Sequence, residues 1–406
     1  MNESAFASQK RLRWFYLTVG VILLLFLGLI YAWSVFRIPL EQEFGWTKSE
    51  SSVTFSIAMI MFCLGGVASG IITARKGHRF TLFCCALFLA SGFFSASRIH
   101  SLLGIYITYG GLCGFGVGLG YNASISTLVK WFPDKQGLVS GIALMGFGLG
   151  GMILGTLGAR LILSLGWRTT FMIFSAAFAI IFVLGAILLK ASSPAFLQQI
   201  TTGNQKQATS LEEIDFRTML HRRNFWLYFL FAFILSAAGL AILNISANYA
   251  ADILNSSLTE AAAIAGVISI TNGLGRVISG QLFDMKGYRV TMIFICILFA
   301  IAGGFLILSE SARTLPILLT AFIFIGLGYG AVPPINSAFT AKFFGNKNYP
   351  LNYSIMNLCI LPASIIGPTC ANGSYMTTFL TILFFTVIAC IAMLGIRQKP
   401  FIPGGE

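Results

Sequence analysis

Leu64-Gly65-Gly66-Val67-Ala68-Ser69-Gly70 and, 210 residues later, Leu274-Gly275-Arg276-Val277-Ile278-Ser279-Gly280 are two copies of one stretch. The likeness runs on through Lys76-Gly77-His78-Arg79 against Lys286-Gly287-Tyr288-Arg289, so that eight of the sixteen positions from 64 to 79 are identical. A second pair repeats at a slightly larger offset: Gly114, Gly116, Gly118, Lys130 and Phe132 lie over Gly326, Gly328, Gly330, Lys342 and Phe344. Both pairs sit in apolar runs. A membrane chain built twice from one unit is the pattern of carriers, whose site lies near the midplane between repeats that rock about it. A receptor or a membrane-bound enzyme has no comparable need of duplication.

Composition explains why the repeats must be membrane helices. The chain is 57% hydrophobic and only 10% charged, with a mean hydropathy of +0.85. A soluble domain carries roughly 25% charged residues, so this chain cannot cover a water-facing surface. Its apolar runs are continuous over about 20 residues, the length that crosses a hydrocarbon core of roughly 30 Å as a helix. A β-barrel would instead alternate over about ten residues. Lipid supplies no hydrogen-bond partners, so the backbone must satisfy itself in helices.

Reading apolar runs against charged gaps predicts twelve spans, near 14–38, 52–74, 80–97, 102–129, 137–163, 169–190, 225–247, 260–283, 290–309, 315–340, 350–371 and 375–396. The first is too long for a signal peptide and no small-residue cleavage site follows it. The widest polar gap divides six spans from six, giving bundles at 1–190 and 225–406 with a cytoplasmic linker at 191–224. Placing the N-terminus inside puts 19 of the 26 Lys and Arg on one side and six on the other, with Arg276 in neither set. That asymmetry predicts cytoplasmic termini and accounts for the net charge of +13 without nucleic acid or any other anionic macromolecule. The eight cysteines all lie in apolar runs with no Cys-x-x-Cys pair, and read as reduced hydrophobes rather than disulfides or metal ligands.

Arg276 carries the sharpest chemical signal. It stands eight residues before Asp284, roughly 12 Å deeper along a helix. A charged Arg there costs about 2.5–3.5 kcal/mol and must face a bundle interior or a watery cavity. Pairing with a buried acid would be the structural explanation, yet all thirteen Asp and Glu fall in loops, tails or span ends. A bound anion is therefore the expected partner. Asn272, one turn earlier, shares its face and can donate a second hydrogen bond. Asn336 and Asn357 are further intramembrane amides, for which helix packing is the competing explanation. The fifth span carries Gly137, Gly141, Gly146, Gly148, Gly150, Gly151 and Gly155, a face that lets helices approach closely. Pro333, Pro334, Pro362 and Pro368 are expected to kink the tenth and eleventh spans.

The loops Gly70 to Arg79 and Gly280 to Arg289 have the form of the signature of the major facilitator superfamily, and the resemblance covers the whole chain. It implies that fold, a cavity lined by the first, fourth, seventh and tenth spans, and gating roles for Gly70, Arg75, Gly77, Arg79, Gly280, Asp284, Gly287 and Arg289. The first copy departs from the signature in carrying Ala74 where the second has Asp284. Ile30-Tyr31-Ala32-Trp33-Ser34-Val35-Phe36 and Trp131-Phe132-Pro133-Asp134-Lys135 resemble the oxalate/formate antiporter family, to which the monocarboxylate transporters are related. That resemblance implies substrate contacts for Arg276, with Asn272 beside it, and for Tyr31, Tyr121 and Tyr329. The oxalate carriers also use a Lys in the eleventh span, where this chain has Ile360; no Lys or Arg lies between Lys347 and Arg397.

One cavity cation suits one carboxylate, because a second carboxylate left unpaired in low dielectric is costly. The expected activity is alternating-access transport of a small monocarboxylate anion such as lactate, pyruvate or formate. It would run as proton symport or as anion exchange, since His78, His100, His221 and every acid are peripheral. The alternatives are an oxalate-type dicarboxylate exchanger and an amphipath or drug exporter of the same superfamily. No nucleophile–base or metal constellation points to an enzyme, and no cofactor or metal is expected. The expected setting is the lipid bilayer of a bacterial inner (plasma) membrane, with the chain acting as a monomer.

Overall fold

The computed structural model describes residues 3–193, 196, 200, 213–255, 258–371 and 373–397. Much of the expected linker, including Lys206 and Glu212, lies outside them, as does Lys399.

Apolar composition and internally satisfied backbones yield helices throughout. In chain order they are α1 (Glu3–Leu27), a tight 3-10 stretch (Gly28–Ala32), α2 (Trp33–Phe44), α3 (Lys48–Ala96), α4 (Leu102–Ile105), a π stretch (Tyr106–Cys113), α5 (Gly114–Trp131), α6 (Gln136–Leu188), α7 (Phe216–His221), α8 (Arg223–Leu254), α9 (Leu258–Ala312), α10 (Leu315–Phe344), α11 (Tyr349–Asn357), α12 (Ile360–Cys370) and α13 (Tyr375–Leu394). Taken with their continuations, nine of these helices among the described residues are long and apolar enough to cross a membrane.

Three of them are much longer than one membrane crossing needs. α3, α6 and α9 have 49, 53 and 55 residues, roughly 74–83 Å if straight against a core of about 30 Å. Each contains one glycine with a positive φ: Gly77 at 82°, Gly166 at 76° and Gly287 at 79°. Side-chain-bearing residues rarely adopt that backbone conformation. Around Gly77 the chain folds back, since the Thr73 and Thr81 hydroxyls lie 2.9 Å apart, where a straight helix would separate them by about 12 Å. Likewise Phe174 packs on Gly158 across Gly166.

Other boundaries follow from local chemistry. Thr47 and Glu50 form a reciprocal capping box that starts α3. Asp215 caps α7 by accepting from the Thr218 N–H at 3.1 Å, and hydrogen bonding to Thr218 holds its carboxyl below the usual range. α11 ends at Asn357 and α12 begins at Ile360. Pro362 explains that break, because its ring opposes the carbonyl four residues earlier, that of Leu358. α10, in contrast, is helical straight through Pro333 and Pro334.

The chain forms two compact units. The first comprises Met1–Asp134, Gly146–Ala208 and Asn348–Ile355; the second comprises Lys135–Met145, Thr209–Lys347 and Met356–Glu406. In the first, buried Tyr109 is the hub of an aromatic core, with its ring centroid 4.6 Å from Trp33, 5.7 Å from Phe93 and 6.3 Å from both Phe36 and Phe171. Buried Trp33 also donates to the Ser51 carbonyl at 2.9 Å. Trp131 donates to the Lys190 carbonyl at 2.7 Å, and Asp134 pairs with buried Arg13 at 2.7 Å. The two tryptophan motifs of the sequence are thus framework contacts in this unit.

Gly28 and Gly150 let the first helix and α6 meet backbone to backbone. A Cβ on Gly150 would stand 2.8 Å from the Gly28 Cα, and would also strike the Leu25 carbonyl. Neither neighbour can rotate away. The Gly150→Val variant is expected to lose about 1–3 kcal/mol or more, read as a lower thermal unfolding temperature in detergent.

Candidate functional site

The second unit holds Arg276 on α9, buried to 8% exposure. Its position follows from a seam between α9 and the first turns of α6. Gly137 packs on Gly280, Gly141 on the backbone of Arg276, and Met145 on Gly273. Rising numbers on one helix meet falling numbers on the other in steps of three to four, so the two run antiparallel. Glycine at Gly137, Gly141 and Gly280 removes the Cβ atoms that would hold the backbones apart. Arg276 is the large residue in this seam, and its guanidinium turns to the end of the glycine run, where Nη1 donates to the Leu144 carbonyl. Its Nε is buried with no hydrogen-bond partner among the described residues. The ion pairs among those residues involve Arg13, Arg37 and Arg168 rather than Arg276.

Asp284 closes the lower end of the seam. Its carboxylate accepts from the N–H of Gly137 at 2.9 Å and of Leu138 at 2.8 Å. These are orphan donors of the first turn of α6, where negative charge is also favoured by the helix dipole. Removing the cap in Asp284→Ala is expected to cost about 1–2 kcal/mol, measured by thermal unfolding.

Asn272 is half-buried on the Arg276 face, and its backbone carbonyl abuts Gly330 of α10. The neighbouring Tyr329 lays its ring against Gly239 of α8. Asn336 and Asn357 are brought directly together: the Asn336 amide donates to the Asn357 carbonyl oxygen at 3.2 Å, and accepts from the Tyr228 hydroxyl at 2.9 Å. Asn336 is fully buried. These amides therefore knit α8, α10 and α11 together.

In the first unit, Tyr31 and Tyr121 share one neighbour. Their ring centroids lie 5.2 Å and 5.0 Å from that of Phe147. Tyr121 is buried, its hydroxyl 3.2 Å from that of Tyr353, whereas Tyr31 is 44% exposed. Asn122 donates to the carbonyls of Gly66 at 3.0 Å and Pro350 at 2.8 Å. Gly70 approaches the Leu351 Cα, which would lie 2.7 Å from a Cβ there. Among the remaining loop residues, Arg75, Arg79 and Arg289 are exposed, and the Arg289 Nε donates to the Tyr288 hydroxyl at 3.1 Å.

The Leu144 carbonyl, Tyr228, Phe147, Tyr353 and Asn122 are additions to the sequence reading. Asn122 had a signal, an amide inside an apolar run. The carbonyl had none. Among the described residues, no three His, Cys, Asp or Glu side chains gather as a metal site. What the arrangement offers chemically is a buried cationic donor beside an amide, a pairing that suits an anion.

Comparison with known proteins agrees with this architecture. The model of the Major Facilitator Superfamily matches residues 18–368, and the chain belongs to that superfamily, whose members are transporters. It is 25% identical over 355 residues to the uncharacterized MFS-type transporter YhjX of Escherichia coli, covering 87% of this chain and 86% of that one. It is also 25% identical over 391 residues to the oxalate:formate antiporter of Oxalobacter formigenes, covering 93% and 90%. Monocarboxylate transporter 3 of Rattus norvegicus is 26% identical over 347 residues, covering 85% and 70%. Among solved structures, the E. coli fucose:proton symporter FucP superposes with a TM-score of 0.67 at 16% identity, covering 95% and 100%. That likeness concerns the fold.

Proposed function

We propose that the chain is a secondary active transporter of small monocarboxylate anions, of the size of lactate, pyruvate or formate, with Arg276 as the anion-binding group. The observation that carries the reading is this buried guanidinium, which has no carboxylate partner among the described residues. Burying a lone charge is costly unless something pairs with it, and a carboxylate matches the planar fork of Arg in geometry and sign. Asn272 supplies a further donor from the same face. The similarity to the Oxalobacter antiporter and the rat monocarboxylate transporter points to the same class of cargo. In this proposal the three glycine-broken helices each cross twice, giving twelve spans. Both termini are cytoplasmic, and bundles at 1–190 and 225–406 alternate access in a bacterial plasma membrane, the chain working as a monomer. Tyr31, Tyr121 and Tyr329 line the cavity, and the two signature loops gate it.

The Oxalobacter relative favours a second reading, exchange of a dicarboxylate. It is the weaker because a second cation is missing from residues 348–396.

Ligand-induced stabilisation of the purified protein separates these readings. A ligand at 100 times its Kd raises stability by about 2.7 kcal/mol. Lactate, pyruvate or formate is expected to raise the unfolding temperature saturably and above the effect of oxalate. Stabilisation by a lipophilic cation alone would replace the carboxylate proposal with the amphipath exporter.

A further inference from the structure

The proposed anion site and the α6–α9 seam use the same side chain, and this has a consequence for how the carrier cycles. Arg276 donates its Nη1 to the Leu144 carbonyl. That carbonyl sits on α6, between the Gly141–Arg276 and Met145–Gly273 contacts. The α6 turns up to Met145 and all of α9 belong to the second unit. A carbonyl oxygen is a partial negative charge, and to the guanidinium it occupies the place of one oxygen of a carboxylate. A full anion is the stronger acceptor, since a carboxylate adds charge–charge attraction and can take the guanidinium fork with two parallel bonds.

We propose that the Leu144 carbonyl is a built-in stand-in for the substrate anion: it holds Arg276 and thereby keeps the α6–α9 seam shut until a carboxylate takes the guanidinium over. This rests on the carboxylate reading of the site. When the anion captures Arg276, the seam loses this rung and retains the glycine contacts and the Asp284 cap, while the Ser140 hydroxyl stays paired with that of Ser337 on α10 at 2.5 Å. Parting of the seam is then coupled to occupancy without any intramembrane acid. With no anion bound, the latch re-forms and the carrier returns slowly. Exchange of one carboxylate for another therefore outruns net uptake.

Two measurements test this. In the full chain carrying Ser140→Cys, position 140 reports the release of α6, because Ser140 stands beside Gly141 of the seam and is buried at 1% exposure against Ser337 of α10. Alkylation there by a water-soluble maleimide, located by peptide mass, is expected to quicken about tenfold or more with saturating lactate, as for loss of one charged hydrogen bond. Adding Arg276→Ala is expected to give the fast rate without lactate and no further response to it. Equal slow rates with and without Arg276 would overturn the latch. Wild-type protein supplies the second readout: lactate counterflow into lactate-loaded liposomes should exceed net uptake into empty ones by about tenfold. Net uptake as fast as counterflow would also overturn it. If no carboxylate moves in either format while Arg276→Ala still frees position 140, the latch stands and the carboxylate reading fails.

Discussion

Arg276→Ala will lower monocarboxylate uptake by about 30-fold to several thousandfold while the protein remains folded. Truncating one member of a buried, hydrogen-bonded charge pair costs about 2–5 kcal/mol of binding, and each 1.36 kcal/mol is about a factor of ten. Stability should move much less, because two effects oppose each other. The variant loses the bond to the Leu144 carbonyl, about 1.5–3 kcal/mol for a charged donor. It also sheds the cost of holding a cation in the membrane, about 2.5–3.5 kcal/mol. The unfolding temperature is therefore expected to stay near that of the wild type. Uptake unchanged in a well-folded variant would remove Arg276 from the substrate site.

The second large effect is structural. Asp134→Ala strands the Arg13 guanidinium, which is 3% exposed and stacked 4.7 Å from the Phe132 ring centroid. Leaving one buried charge without its partner costs about 3–5 kcal/mol. That is a large part of the roughly 5–15 kcal/mol that holds an ordinary protein folded. The pair itself is replaceable, since apolar residues of similar volume often match a buried ion pair. The double variant Arg13→Met/Asp134→Leu is expected to regain most of the loss. Thermal unfolding of the wild type and both variants decides the point, and a loss below about 1 kcal/mol in Asp134→Ala would put the pair in the class of surface bridges.

Much of the fold was legible because each of its causes is local in sequence. Apolar length sets the helices, and Gly77 and Gly287 stand in the repeated loops where a positive φ is needed. Gly166 interrupts α6 by the same backbone conformation but lies outside the repeat, so only the polar break near Trp167 and Arg168 hinted at it. Proline proved a poor guide by itself: the α11–α12 break falls four residues before Pro362, whereas α10 runs through Pro333 and Pro334. At the site, Arg276 was visible as a charge in an apolar run, and Asn272 by helical spacing. Tertiary partners were not. Nothing in the letters distinguishes Leu144 from other leucines, since its carbonyl acts through position alone. The Trp33 and Trp131 motifs signalled a family, but only the packing shows Trp33 to be a framework donor in the first unit.

The proposal is that a small carboxylate crosses the membrane by way of Arg276. It is met most directly by uptake of labelled lactate, pyruvate and formate into proteoliposomes, each challenged with the unlabelled others and with oxalate, with and without a pH gradient. Saturable uptake of at least one monocarboxylate is expected, competed more strongly by the other monocarboxylates than by oxalate. Absence of uptake and of competition by every one of these acids would contradict it.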